Sequence, residues 1–490
     1  MSFSTLRALH STIGKALDDL ERLYKDRSQS TAVPLDFPRL DEPYYTSAEH
    51  SAAEELEREL ENDPAVSFAS KQIVAACGQL SAAVNKRWYG LMESLHGELS
   101  GTIVAGMRFL EEAHVVEILR EASPDGLRVG DIHRAIIDLR PEASRPDPTV
   151  FTPSRLGHIL RLLATAHWLR EVAPDRFANN RRSSYVDSGK SLKQLREEPK
   201  RRFVDTDGVA AFVSRAADTG VQTETSEDQE SGTAKFFGPF NLAYDTQMDY
   251  FSWLESPGNE FRFERFGHAM TGTREWETKE GILYGYPWAS LAHGSVLVDV
   301  AGGLGSTSLT VATAHPHIAV VVEDRPQVVE IAPSAWGSTF ASLFESGRMS
   351  FRNRDIFGPW TPLPSGKIPD VFLIRLILHD WPDQKCVKIL STLRAAAGQD
   401  TKLVIGDMLL PFACPSDEAF IQGDSPLLPN LGVANLHGYL MDILMMSIFG
   451  AKERTVAEIA ELALAAGWKV IDIRRSPGSV WAYTTAVSAC

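Results

Sequence analysis

The stretch "SVLVDVAGGLGSTSLTVATAHP", residues 295–316, decides the fold. It reads as a buried strand, a turn carrying Gly302, Gly303 and Gly305, and a helix. The alternation continues beyond it. "IAVVVEDRP" and "PDVFLIRLIL" are strands, "DQKCVKILSTLRAAA" is a helix and "TKLVIGDMLL" a strand. "TVAEIAELALAAG" is a helix, with Thr455 and Glu458 at capping-box spacing and Gly467 at its end. "WKVIDIRR" and "SVWAYTTAV" close the chain as a hairpin. This order predicts a doubly wound α/β domain, and such sheets bind ligands at the carboxyl ends of their strands, near the point where strand order reverses.

Those ends carry chemistry. The first strand ends in Asp299-Val300-Ala301-Gly302-Gly303, where glycines let a ligand approach the backbone. The second ends in Glu323-Asp324, about twenty residues on, where an acid can accept from ribose hydroxyls. The third such end is Asp355-Ile356-Phe357, an acid beside apolar groups, suited to an exocyclic amine and a flat ring. A nicotinamide fingerprint would need a third glycine where Ser308 stands, which weakens a dehydrogenase. Arg375 lies within the fourth strand, and both a structural pairing and a cofactor contact are open to it. His379 follows that strand in "LHDWPD". Asp407 ends the next strand and Glu453 precedes the last helix. A histidine flanked by carboxylates is held in one orientation with raised basicity. No Ser or Cys stands in a nucleophile-elbow context. His315 and His317 read as turn residues.

The N-terminal half differs. Leu6, Leu9, Ile13, Leu17, Leu20 and Tyr24 form one stripe of an amphipathic helix, packed either on its own domain or on a second subunit. "VVEILREA", "RVGDIHRAI" and "SRLGHILRLLATAHW" are three helices, and "WLREVAPDRFANN" is a hairpin turning at Ala173-Pro174-Asp175: the winged-helix order. The third helix is mainly core, with Leu162 among its apolar residues. The chain of 490 residues has a net charge of −15, so a nucleic-acid or anionic-lipid partner is not expected. The acidic stretch 218–234 reads as an exposed insertion, a lid being the alternative. Scattered cysteines, no signal-peptide pattern and no segment apolar enough to span a bilayer lead to a cytoplasmic expectation.

"LVDVAGGLG", "VVEDRP", "RDIF", "LIRLILHDWPD", "VIGDMLLP" and "GAKERT", in this order, resemble the S-adenosylmethionine-dependent O-methyltransferases of the plant caffeate and flavonoid type, and the long N-terminal region resembles basidiomycete members. The motifs cover about residues 236–470. The resemblance implies a Rossmann-like methyltransferase domain at 236–490, a helical dimerisation region at 1–108, a winged-helix-like domain at 109–187 and a linker with the acidic loop at 188–235. It implies S-adenosylmethionine as cofactor, no metal, and a homodimer built through the N-terminal helices. By it, Asp299, Gly302 and Gly303 line the methionine end, Asp324 holds the ribose, and Asp355, Ile356 and Phe357 face the adenine. Arg375 stands where plant members have a lysine. His379 matches the general base, with Asp407 and Glu453 its flanking acids. Phe240, Asn241, Tyr244 and Gln247 fall where members line the substrate and sulfonium, and Trp381, Met445 and Ile448 are further candidates for the substrate wall. Ala301 replaces a glycine usual in the family.

The expected reaction is methyl transfer to a phenolic hydroxyl. A cofactor-binding regulatory protein that works through its winged helix is the rival from another class.

Overall fold

A computed structural model describes residues 2–86, 102–122, 125–141, 151–216, 239–272, 277, 281–335 and 341–489. The acidic stretch 218–234 lies outside them. The chain divides into two compact units. One comprises Met1–Leu20, Pro64–Ser81 and Trp276–Cys490, and the other Glu21–Asp63 and Ala82–Glu275. This division cuts across chain order: residues 1–20 and 64–81 go with the large sheet, and 239–272 go with the mainly helical second unit.

In the second unit, helices Thr102–Glu112, Val115–Arg120, Val129–Leu139 and Pro153–Thr165 surround a small sheet of β1 (Leu127–Arg128), β2 (Arg170–Ala173) and β3 (Arg176–Ala178), ordered β1-β3-β2. The hairpin turns at Pro174-Asp175, with Asp175 in the left-handed region at φ +57°. Leu156, Leu160 and Leu163 of the third helix are wholly buried against Ile132, Ile136 and Phe177. Leu162, read with the core, is instead 41% exposed, because it sits off the 156-160-163 stripe. Arg161 pairs with Glu171 and Asp175 of its own wing, at 3.0 and 2.7 Å.

The first unit is built on a seven-stranded sheet. Its strands are β4 (Ser295–Val300), β5 (Ile318–Asp324), β6 (Met349–Asn353), β7 (Val371–Arg375), β8 (Lys402–Met408), β9 (Trp468–Arg474) and β10 (Trp481–Ser488), in the order β6-β5-β4-β7-β8-β10-β9. The first five pair in parallel, and β10 runs antiparallel to both neighbours. All of β4 is buried. Val296, Val298 and Val300 pack with Phe372 and Ile374 on one face, while Leu297 packs with Val371, Leu373 and Val404 on the other. Burial on both faces is why the parallel strands read as continuous apolar runs. Strand order reverses between β4 and β7, so the ends at Asp299 and Arg375 flank the crevice where such sheets bind ligands. The capping box is present: the Thr455 hydroxyl accepts from the Glu458 N–H, and the Glu458 carboxylate from the Thr455 N–H.

The N-terminal stripe lies on helix Phe3–Thr31, and its first half is covered by the chain itself. Leu9 is wholly buried with Ala75 and Ala76 of helix Pro64–Val84 and with Leu427 and Leu431. Leu17, read as part of the stripe, is 48% exposed. The Gln79 side chain joins the same long segment, donating to the Pro426 carbonyl at 2.9 Å and accepting from the Leu428 N–H at 2.7 Å. Leu9 therefore needs no second subunit to be buried.

One expectation about membranes is corrected. The window Gly432–Phe449 is 18 residues long and apolar enough, by length and composition, to cross a bilayer. Its regular α-helix, Leu436–Phe449, has 14 residues, a rise of about 21 Å against roughly 30 Å of hydrocarbon. Gly438, Met445, Ser447 and Ile448 are buried.

Leu9→Ala is expected to destabilise the fold by about 2–5 kcal/mol, the cost of a buried leucine cavity. Urea denaturation checks it: an unchanged midpoint would show that the chain does not bury Leu9 by itself.

Candidate active site

The turn after β4 is set by contacts that only glycine permits. Gly302 N–H donates to the Glu323 carbonyl at 3.1 Å, and a Cβ there would lie 2.5 Å from Asp299 Oδ2. Asp299 is buried, and the Ser308 hydroxyl, in the first turn of helix Ser306–Ala314, donates to it at 2.7 Å. Burial lifts the Asp299 pKa to about 6, against the pull of Ser308 and the Arg375 charge. Gly303 has φ +59° and open space where a side chain would be. Ala301 also adopts a left-handed conformation, φ +55°, which costs an L-residue about 1–2 kcal/mol. The methyl that departs from the family pattern thus sits on strained backbone.

Asp324 closes the turn from β5. Its Oδ2 accepts the Gly303 N–H at 2.8 Å and its Oδ1 the Arg325 N–H at 2.7 Å. A carboxylate has about four acceptor positions, so two remain. The neighbouring Glu323 is occupied by Arg352 and by Arg354, the latter at 3.2 Å, and both guanidinium groups lie over Trp360. Asp355 is exposed and accepts the Phe357 N–H at 2.9 Å. Phe357 meets Trp381 edge-on, ring centres 4.8 Å apart.

His379 sits on a short 3-10 turn, Leu378–Asp380, just past β7, and is 6% exposed. Its Nδ1 is 2.7 Å from Glu453 Oε1. Its Nε2 is 3.6 Å from Asp380 Oδ1, too far for a hydrogen bond. Asp407 is buried, and among the described residues its Oδ1 and Glu453 Oε2 have no hydrogen-bond partner. Burial alone would push the imidazole pKa down, but Glu453, Asp380 and Asp407 outweigh it and raise it to about 10. Burial pushes Asp407 up to about 7, with His379 pulling the other way.

Arg454, beside Glu453, grips this turn. Its guanidinium donates to the Leu378 carbonyl at 2.8 Å and the Trp381 carbonyl at 2.9 Å, on either side of His379, and pairs with Asp383 at 2.7 Å. Asp442 accepts the Glu453 N–H at 2.9 Å, tying in helix Leu436–Phe449.

A family model described as an O-methyltransferase domain matches residues 265–469. An O-methyltransferase of Armillaria gallica is 34% identical, covering 96% of this chain and 95% of its own length. The chain belongs to the O-methyltransferase family. 4-O-methyltransferase 1 of Phanerochaete chrysosporium is 32% identical over 99% of both chains. Among solved structures, LepI in complex with SAM aligns with a TM-score of 0.63 at 18% identity, covering 89% of this chain and 98% of its own. The mitomycin 7-O-methyltransferase MmcR aligns at 0.57 and 21%, covering 84% and 100%. At these identities the likeness shows the fold.

As an S-adenosylmethionine-dependent O-methyltransferase, the chain must hold a nucleoside and an amino acid, and the residues present fit them. The glycine turn offers space at Gly303, and Asp324 keeps acceptor positions for hydroxyls. Two sets of expected residues converge within the sheet unit: Asp299, Gly302, Gly303 and Asp324 around the turn, and His379, Asp407 and Glu453 around the imidazole. Arg375 is paired with Glu277, Nε to Oε1 at 2.9 Å. Phe240 is buried in the helical unit among the rings of Tyr244, Tyr250 and Trp253, Gln247 is exposed there, and the family match begins C-terminal to all four expected positions, Asn241 included. Met445 and Ile448 face inward, while Leu440, Ile443 and Met446 form the exposed stripe of their helix. Glu277, Tyr483 and Arg454 were missed. Arg454 alone had a signal, adjacency to Glu453.

Arg454→Met is expected to lower stability by about 1–3 kcal/mol, because the Leu378 and Trp381 carbonyls lose their donor, and to lower kcat with it. Arg454→Lys should not restore kcat, since one ammonium cannot span both carbonyls as the planar fork does. Denaturation and turnover of both variants check this.

Proposed function

We propose that this enzyme transfers the methyl group of S-adenosylmethionine to a phenolic hydroxyl of a small aromatic compound, with His379 as general base. The observation that carries the reading is the buried His379–Glu453 hydrogen bond. A carboxylate on Nδ1 fixes the tautomer and leaves Nε2 to take a proton. A binding module acting through its winged helix has no use for that arrangement.

When bound, S-adenosylmethionine supplies an electrophilic methyl group on a positively charged sulfur. Asp324 accepts from the ribose hydroxyls, the Asp299 and Gly302-Gly303 turn takes the methionine end, and Asp355, Ile356 and Phe357 take the adenine. A phenol, pKa ~10, is mostly protonated at neutral pH. His379 Nε2 would accept its proton while the oxygen takes the methyl group from sulfur and the sulfur keeps the electron pair of the broken bond, and Glu453 would stabilise the resulting imidazolium. General-base help of this kind contributes roughly 10²–10⁴-fold. His379→Ala should therefore lose about that factor in kcat while binding the cofactor as wild type does. A variant that keeps most of its turnover at neutral pH would remove the base role.

The raised imidazole pKa sets a pH dependence. Only neutral His379 can accept a proton, so activity must rise with pH as the imidazolium is lost. The acid limb of kcat/KM, which reports the free enzyme, is expected well above ~6.5, towards the raised value of about 10. A cation bound nearby disfavours imidazolium, so the limb in kcat should fall at lower pH. Profiles with a limb at or below pH 6 would contradict this.

Asp324→Ala is expected to weaken cofactor binding at least about tenfold, the scale of a lost hydrogen bond to a charged group. Calorimetry with S-adenosylmethionine checks it, and unchanged affinity would overturn the nucleoside assignment.

A further inference from the structure

Arg375 is not alone at the end of β7. Its side chain shares a sheet face with Asp299, since Leu373, two residues earlier, is in register with Asp299. Across the sheet, Arg375 is in register with Gly406 of β8, and Gly406 with Tyr483 of β10. Gly406 lets the two outer side chains meet: a Cβ there would lie 2.8 Å from the Tyr483 ring and 3.2 Å from Arg375 Cγ. Glu277 comes down on this row. Its Oε1 accepts from Arg375 at 2.8 and 2.9 Å, and the Tyr483 hydroxyl donates to its Oε2 at 2.6 Å. The Trp481 ring lies 4.7 Å from the guanidinium centre. The Arg375 and Glu277 side chains are 12% and 9% exposed. The Arg375 charge reaches Asp299, whose carboxyl it helps hold acidic against burial.

We infer that Glu277 is a positioning and charge-compensating residue for the cofactor: held by Tyr483, it neutralises Arg375, so that the methionine end of the site accepts a cationic sulfonium. The inference rests on the assignment of Asp299 and the glycine turn to that end. The physical reason is simple. Arginine stays charged at every working pH, and an unpaired guanidinium in a partly buried crevice repels a positive sulfur. Cofactor and product differ there by one charge, because methyl transfer turns a sulfonium into a neutral thioether. A compensated Arg375 therefore favours the cofactor relative to S-adenosylhomocysteine, and an uncompensated one erodes that preference.

The test compares the two ligands on the full chain by calorimetry. Glu277→Gln keeps the shape and an acceptor for Tyr483 but removes the charge. It should weaken S-adenosylmethionine at least about tenfold, the scale of a unit charge within ~10 Å in a partly buried site, and change S-adenosylhomocysteine by less than about twofold. Arg375→Met alone should move the ratio of the two dissociation constants the other way. The double variant, Glu277→Gln with Arg375→Met, should return the ratio to within about twofold of wild type. A parallel loss for both ligands in Glu277→Gln would mean a purely structural role and overturn the inference, as would an unchanged ratio. A wild-type chain that binds neither ligand overturns the cofactor assignment itself, and the inference with it.

Discussion

Glu453 and Arg454 fix the catalytic edge from a single pair of adjacent residues, and the rest of the site depends on that pair. The backbone of Arg454 bridges to Leu409, and its carbonyl accepts the Leu410 N–H, so the segment is stitched to the chain leaving β8. From there the guanidinium reaches back to the carbonyls on both sides of His379, and the carboxylate of Glu453 reaches His379 itself. A three-residue 3-10 turn has few hydrogen bonds of its own to hold a side chain in place. The planar fork of arginine supplies what the turn lacks, and burial makes each of those bonds costly to lose.

The legible parts of this molecule were those whose cause is local. A run of apolar residues ending in Asp299 and a glycine turn forms a strand and a turn whatever surrounds it, and the capping box at Thr455 and Glu458 specifies its own helix start. Distant partners were not legible. Glu277 and Arg375 are 98 residues apart in sequence, and nothing in either neighbourhood names the other. Met445 and Ile448 were offered for the substrate wall through the family resemblance; helix Leu436–Phe449 is apolar nearly all round, and a helix without a polar face gives no period from which to read direction. The stripe at Leu9 had the opposite trouble. Its period was plain, but the segment that covers it, around Leu427 and Leu431, is an irregular stretch more than 400 residues away, with no pattern to announce a partner.

The fold itself does not settle chemistry. Chains that align with this one include methyltransferases and a protein described as a pericyclic reaction enzyme, the latter with a TM-score of 0.59 at 17% identity. The same fold therefore hosts different reactions, and function has to be argued from side chains. Here the distinguishing feature is a buried imidazole held by a carboxylate.

That imidazole is surrounded by more negative charge than it can balance. Glu453, Asp407 and Asp380 face one ring, and three carboxylates against one imidazolium leave an excess of negative charge in a buried place. Proteins avoid such an excess by protonating one of the acids, and Asp407, pushed to about 7, is the group that gives way. A cation entering the crevice relieves the same strain by another route. By direct repulsion it disfavours the imidazolium form of His379, against the carboxylates that favour it. Neutralisation of Arg375 by Glu277 fits the same logic from the other side of the switch point, since it removes from the crevice a fixed positive charge that would otherwise compete for that place.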